Sequence, residues 1–119
     1  QTLRAIQEAE AYNGPSLIIA YSTCIAHGID MRKGMEIEKQ AVESGFWPLY
    51  RYNPATEEGK NPFKLDSKMN IELLEDYLYT QGRFNILRKA DPARAQYLAD
   101  LTHQDVIIRW EQYQRLAEG

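Results

Sequence analysis

The stretch Gly14–Gly28, GPSLIIAYSTCIAHG, decides how the rest of the chain is read. Its middle, Ser16–Tyr21 (SLIIAY), is a short continuous apolar run with two adjacent isoleucines, bounded by turn residues. That pattern predicts a strand buried on both faces, as in the interior of a parallel sheet. The strand would hand the only cysteine, Cys24, and one of two histidines, His27, to a loop at its C-terminal end. Gly28 closes the loop, since glycine reaches backbone conformations closed to other residues.

On the N-terminal side, residues 2–12 read as a short helix with Thr2 as cap and Leu3, Ile6 and Ala9 on one face. Asn13-Gly14-Pro15 ends it, with Gly14 free to turn left-handed and Pro15 unable to continue the ladder. On the other side a helix opens at Ile29 or Asp30, capped by Asp30, and runs to about Ser44. Met31, Met35 and Val42 are its expected buried face, Gly34 and Ala41 allow close approach, and Gly45 stops it. Trp47–Tyr52 (WPLYRY) is a second strand-like run. Pro48 has no donor, so this strand sits at an edge or starts there. Two strands linked by a helix imply a right-handed β-α-β crossover.

At Asn53 the composition changes. Residues 53–62 form a solvated connection rich in Pro, Gly and Glu. Phe63–Asp66 is a brief extended segment. Ile71–Tyr79 packs through Leu74, Tyr77 and Leu78, as a short helix or an extended cover. Arg83–Lys89 is helical, anchored by Phe84 and Leu87. Asp91-Pro92 starts the last helix, with Asp at the cap and Pro at the first helical position. It runs to about Ala117, with Leu98, Leu101, Val106, Trp110, Tyr113 and Ala117 at helical spacing. The fold class is therefore α/β, β-α-β followed by a helical tail. Two strands alone are not a stable sheet, and a doubly buried SLIIAY wants a neighbour on each side. Both features are expected of a piece of a larger sheet.

The totals narrow the function classes. The 119 residues are one domain's worth of chain or less, 44% of them apolar. No apolar run is long enough to span a bilayer. Fourteen Lys+Arg against seventeen Asp+Glu leave a net charge of −3, without the basic excess that phosphate neutralisation requires. We therefore expect no nucleic-acid or membrane partner. A single cysteine excludes an internal disulfide framework and suits a reducing cytoplasm. The first residues, QTLRAIQEAEAY, lack a signal core and an initiating Met, as expected of a chain that begins inside a longer protein.

Three readings of Cys24 stand on its residues alone: nucleophile, metal-cluster ligand or packed thiol. Packing is the default for a lone cysteine. A nucleophile needs a base within reach, and His27 is three residues away. A four-iron cluster takes four thiolates, and this chain has one. A zinc site fails on the same count, with His27 and His103 far apart. His27 either orders the loop or simply bonds to backbone, and His103 is expected on the surface. Met31, Met35 and the Tyr/Trp stripe of the last helix read as core. Glu57-Glu58 reads as loop, and Glu36 and Glu38 point to different faces, so they are no carboxylate dyad. No phosphate loop, nucleophile elbow or two-histidine metal motif occurs.

Three blocks in order, GPSLIIAYSTCIAHGIDMRKGM, AVESGFWPLYRYNP and EGKNPFKLDSK, resemble the C-terminal end of the pyruvate:ferredoxin (flavodoxin) oxidoreductases. The tail segments LEDYL, DPARAQYL and RWEQYQRLA extend the resemblance over essentially the whole chain. It implies a large, usually homodimeric enzyme that decarboxylates pyruvate on thiamine diphosphate and magnesium. Electrons pass through [4Fe-4S] clusters to ferredoxin or flavodoxin, and the acetyl group goes to coenzyme A. The family pattern Y-x-x-C-I-x-H-G stands here as Tyr21, Cys24, Ile25, His27 and Gly28. Cys24 thereby inherits the role of one ligand to the cluster nearest the thiamine, whose other three cysteines lie outside this sequence. The diphosphate and magnesium motif lies upstream of Gln1, so no catalytic or thiamine-binding residue is assigned within the chain. Residues 1–52 would be the end of the thiamine diphosphate-binding domain, and 53–119 an extended connection and helical tail, both partnered by the remainder of the parent polypeptide. Alone, the chain is expected to turn nothing over and to hold neither thiamine nor a complete cluster. The rival expectation is a non-catalytic structural or interaction module with a packed free cysteine.

Overall fold

Local signals in the chain are strong where one segment can satisfy them and weak where two must meet. In the computed structural model, which describes residues 1–119, five α-helices and one pair of short strands follow in the order α1 (Thr2–Ala11), α2 (Gly34–Glu43), β1 (Tyr50–Tyr52), β2 (Phe63–Leu65), α3 (Leu74–Tyr79), α4 (Gly82–Ala90) and α5 (Pro92–Glu118). One-turn 3₁₀ segments at Ile25–His27, Met31–Lys33 and Ile71–Leu73 precede α2 and α3. The chain is thus mixed helix and sheet with a long helical tail.

The termini follow side-chain chemistry. Asp91 accepts the Arg94 N–H at 3.0 Å and Pro92 opens α5, as the sequence predicts. Asp30 accepts the Arg32 N–H at 3.1 Å and sets the turn leading into α2. Gly45, at φ +79°, ends the segment after α2. Asn61 donates from Nδ2 to the carbonyls of Leu116 and Ala117 (2.7 and 2.9 Å), satisfying acceptors that the last turn of α5 leaves open. At α1 the expectation fails: Gln1 rather than Thr2 is the N-cap and no side chain caps it. Tyr12, in extended backbone, rather than a left-handed Gly14, terminates it.

The core joins α2, α3 and α5 through Ile37, Ala41, Leu74, Tyr77, Leu78 and Val106. Leu74, Tyr77, Leu78, Val106 and Trp110 are buried as their spacing predicts. The buried face of α2 is Gly34, Ile37 and Ala41, not the expected Met31, Met35 and Val42. Asp30 starts a 3₁₀ turn rather than an α-helix, so Met31 precedes α2 and Met35 is turned outward, 88% exposed. A second cluster stacks Tyr50 on Phe63 and Tyr113 (centroids 5.2 and 5.1 Å), seating the strand pair on α5.

Two sheet expectations are corrected. Trp47–Tyr52 contributes a strand only at Tyr50–Tyr52, and its partner is β2, antiparallel, with Tyr50 opposite Leu65 and Tyr52 opposite Phe63. The short 53–62 connection suffices for antiparallel pairing, whereas a parallel pair needs a crossover of a dozen or more residues. Ser16–Tyr21 forms no strand at all, so the β-α-β unit is not closed within this chain. A strand exists only as one side of a ladder, and this chain offers SLIIAY no second side. Leu17 and Ile19 remain 84% and 67% exposed.

The consequence is an open shape. The radius of gyration is 16.8 Å, against about 13.5 Å for a compact domain of this length. The accessible surface is 8632 Å², against roughly 6600 Å² for a folded monomer of this mass. The excess, about 2000 Å², is the scale of an extensive interface.

Candidate functional site around Cys24

Three residues after Tyr21 the chain enters the one segment that exposes a thiol. Tyr21 itself is anchored: its hydroxyl shares a 2.7 Å hydrogen bond with the Tyr77 hydroxyl, and its ring lies 5.1 Å from that of Trp47. Tyr77 is fully buried. Burial, and then the bond to Tyr21, push its phenol well above the usual tyrosine range.

From that anchor the loop is held at both ends. Glu38 of α2 reaches back and accepts with one oxygen, Oε1, from both the Thr23 N–H (3.1 Å) and the Thr23 hydroxyl (3.2 Å). At the far end Gly28, at φ +71°, donates to the Ile25 carbonyl at 3.0 Å and accepts from the Gly82 N–H at the start of α4 at 2.8 Å. The two glycines touch: a Cβ on Gly82 would lie 3.1 Å from the Gly28 carbonyl oxygen, and one on Gly28 would lie 2.9 Å from the Gly82 Cα. Gly28 is needed twice over, for its left-handed backbone and for this approach.

Between the two holds stands the exposed Cys24. Its Sγ accepts the Ala26 N–H at 3.4 Å, and its carbonyl accepts the His27 N–H at 3.0 Å, closing the 3₁₀ turn. The structure therefore does not pack Cys24 as a core thiol. His27 is half-buried, and its Nδ1 is buried without a partner. His103 is exposed on α5. No group of three or more His, Cys, Asp and Glu side chains converges anywhere in the chain.

One sulfur, outward-facing and receiving a backbone N–H, fits the donor chemistry of a cluster thiolate, for which such N–H···S bonds are the usual tuning element. It fits only as one ligand of a set completed from outside. Sequence reading placed Cys24 in its loop but missed Glu38 and Gly82. Neither carries a local signal, because each acts on residues more than a dozen positions away.

Elsewhere, Arg51 joins β1 to β2 and α1. Its guanidinium donates to both oxygens of Asp66 (2.6 and 2.8 Å) and to Glu8. The Arg51 bonds hold the Asp66 carboxyl below the usual carboxylate range. A groove of about 560 Å³ between α4 and α5, lined by Phe84, Leu87, Leu98, Leu101 and Ile108 among others, is mainly apolar. No helix is long and apolar enough to cross a membrane.

No family profile matches the chain. Curated relatives do. A pyruvate-flavodoxin oxidoreductase of Nostoc sp. is 51% identical over 118 residues, which is 98% of this chain and 10% of the relative. A pyruvate:ferredoxin oxidoreductase of Moorella thermoacetica is 49% identical over 100% of the chain and 10% of the relative. A mitochondrial pyruvate dehydrogenase [NADP(+)] of Euglena gracilis is 41% identical over 100% of the chain and 7% of the relative. The chain thus spans about a tenth of the length of the first two. Likeness at this level from end to end means that the chain belongs to the pyruvate-flavodoxin/ferredoxin oxidoreductases, as a segment of that family's long polypeptide.

Proposed function

We propose that this chain is the part of a 2-oxoacid (pyruvate) oxidoreductase that supplies the Cys24 thiolate to an iron-sulfur cluster bound chiefly by the rest of the polypeptide. In this reading residues 1–52 complete the thiamine diphosphate-binding domain, and 53–119 form the connection and helical tail that dock on the parent. The parent, a homodimer using thiamine diphosphate, magnesium and [4Fe-4S] clusters, oxidatively decarboxylates pyruvate to acetyl-coenzyme A and passes electrons to ferredoxin or flavodoxin. The chain alone is inactive, because it carries one ligand and no thiamine site.

The observation that carries the reading is the presentation of Cys24: the single thiol of the chain stands outward on a turn held at both ends. When bound there, a cluster would relay electrons away from the reacting 2-oxo acid. This chain's own residues do the positioning. The 3₁₀ turn aims Sγ away from the core, and the Ala26 N–H stabilises negative charge on it. Binding would be to the deprotonated thiol, as metal ligation requires.

The test is Cys24→Ser in the full-length parent. We expect loss of the thiamine-proximal cluster signal, lower iron per protomer and impaired pyruvate-dependent reduction of ferredoxin or flavodoxin. Full iron with an unchanged spectrum would refute the ligand assignment and favour the rival structural module.

A further inference from the structure

Glu38 and Gly82 lie outside the Cys24 turn, on different helices, yet each grips one end of it. We infer that they are positioning residues for the Cys24 thiolate; the inference rests on the ligand reading above and deepens it.

The geometry is asymmetric in a useful way. Only four residues, Cys24–His27, lie between the two held residues, Thr23 and Gly28. Upstream, Ser16–Tyr21 makes no backbone–backbone hydrogen bond within the chain, so it cannot by itself fix the turn. Upstream restraint comes from the Tyr21–Tyr77 bond and from the two bonds of Thr23 to a single Glu38 oxygen. Downstream restraint comes from the Gly82 N–H to the Gly28 carbonyl, at a contact that leaves no room for a Cβ on Gly28 and that a Cβ on Gly82 would push apart.

Glu38 sits on α2, whose Ile37 is a core residue, and α4 begins one residue after the fully buried Gln81. Both holds are therefore referenced to the core. The exposed sulfur inherits its position, and its distance from the Ala26 N–H, from groups that never touch it. Displacing either hold rotates the turn and alters that N–H···S bond, which sets how well the sulfur carries charge.

The experiment uses the full-length parent, purified without oxygen, with Glu38→Ala, Glu38→Gln, Gly82→Ala and the exposed Lys39→Ala, beside Cys24→Ser. Three quantities are read: iron per protomer, the reduced-to-oxidised ratio of the thiamine-proximal cluster at fixed poise by electron paramagnetic resonance, and amide hydrogen exchange over residues 23–28. Glu38→Ala and Gly82→Ala are expected to retain iron while shifting the ratio about two- to tenfold, the scale of one net hydrogen bond, and speeding exchange in the turn. Glu38→Gln keeps an acceptor oxygen and should stay near wild type, as should Lys39→Ala. Should Glu38→Ala fail to accumulate, Thr23→Val, which removes only the hydroxyl bond, takes its place with the same expectation. Unchanged ratio and exchange in the Glu38→Ala (or Thr23→Val) and Gly82→Ala variants, while Cys24→Ser destroys the cluster signal, would overturn the positioning role alone. An unaltered spectrum in Cys24→Ser would overturn the ligand reading and this inference together.

Discussion

Tyr77→Phe is the substitution whose effect should change sign with pH. Near neutrality it removes one hydrogen bond, the 2.7 Å contact with the Tyr21 hydroxyl, and leaves the ring packing against Phe46 in place. Tyr21 is only half-buried, so water can replace its lost partner, and the cost is that of an ordinary net bond, about 1 kcal/mol. Above pH 10 the balance moves. In the unfolded wild-type chain the Tyr77 phenol ionises at its ordinary value of 10.0, while in the folded chain burial and the Tyr21 bond hold it protonated. The unfolded state then binds fewer protons than the folded one, so wild-type stability falls as pH rises, by up to about 1.4 kcal/mol per unit. Phenylalanine has no proton to lose and escapes this loss. The deficit of the variant should shrink from pH 10 upward and vanish at about pH 11, where one unit of ionisation offsets roughly one hydrogen bond. Urea unfolding of both proteins between pH 7 and pH 11.5, followed by far-ultraviolet circular dichroism, gives the difference directly, and titrating groups that do not touch Tyr77 cancel in it. A deficit that stays constant across that range would mean that Tyr77 ionises equally in both states, and the burial argument would be wrong.

Three other outcomes are expected. Asp66→Asn should cost about 2 kcal/mol near neutrality, because it turns one of the two acceptors of the Arg51 guanidinium into an NH2 group and removes the charge from the other, beside an Arg51 side chain that is only 15% exposed. Since the folded Asp66 carboxyl is held below its ordinary 3.8, the stability it confers is present above that pH and disappears on acidification, so the gap between wild type and variant in denaturant midpoint should close below pH 3.8. Asp91→Ala should lower stability by about 1 kcal/mol through loss of the α5 cap, with amide exchange accelerating in the first turn of α5 and unchanged at Trp110. The 119-residue chain should self-associate through its bare apolar segment, and Ile18→Lys should shift light scattering toward monomer; a monodisperse wild-type monomer would count against that role.

What the sequence made legible divides by range. Elements that depend on their own residues were readable: the Asp91-Pro92 start of α5, the Asp30 cap and the stop at Gly45, together with the packing role of Leu74, Tyr77 and Leu78, though not whether their segment is helix or extended. Those that depend on a distant partner were not. Phe63–Leu65 gave only a weak extended signal, because its pairing with Tyr50–Tyr52 is decided by the stack with Tyr113 on α5. Periodicity alone could not choose between the methionine and Ile37/Ala41 faces of α2, since both repeat at helical intervals. The site divides the same way. Cys24, with Gly28 after it, stood out as residue types, while the Glu38 and Gly82 holds exist only once α2 and α4 have packed.

Ser16–Tyr21 is the instructive failure. Its composition describes an environment with strands on both sides, and the folded chain supplies neither, leaving Leu17 and Ile19 in solvent. A sequence selected within a polypeptide about ten times longer records the contacts of that whole, so an apolar run can be correct about the assembly and unmet in the segment. The same logic covers the outward Met35, the bare Leu3 and Ile6 of α1, and the apolar groove between α4 and α5. Together with the roughly 2000 Å² of surplus surface, judged against a compact monomer of this mass, they mark the faces that this chain leaves uncovered. On the proposed reading Cys24 belongs to that set: an exposed thiol on a turn held at both ends, whose fellow ligands would come from chain elsewhere.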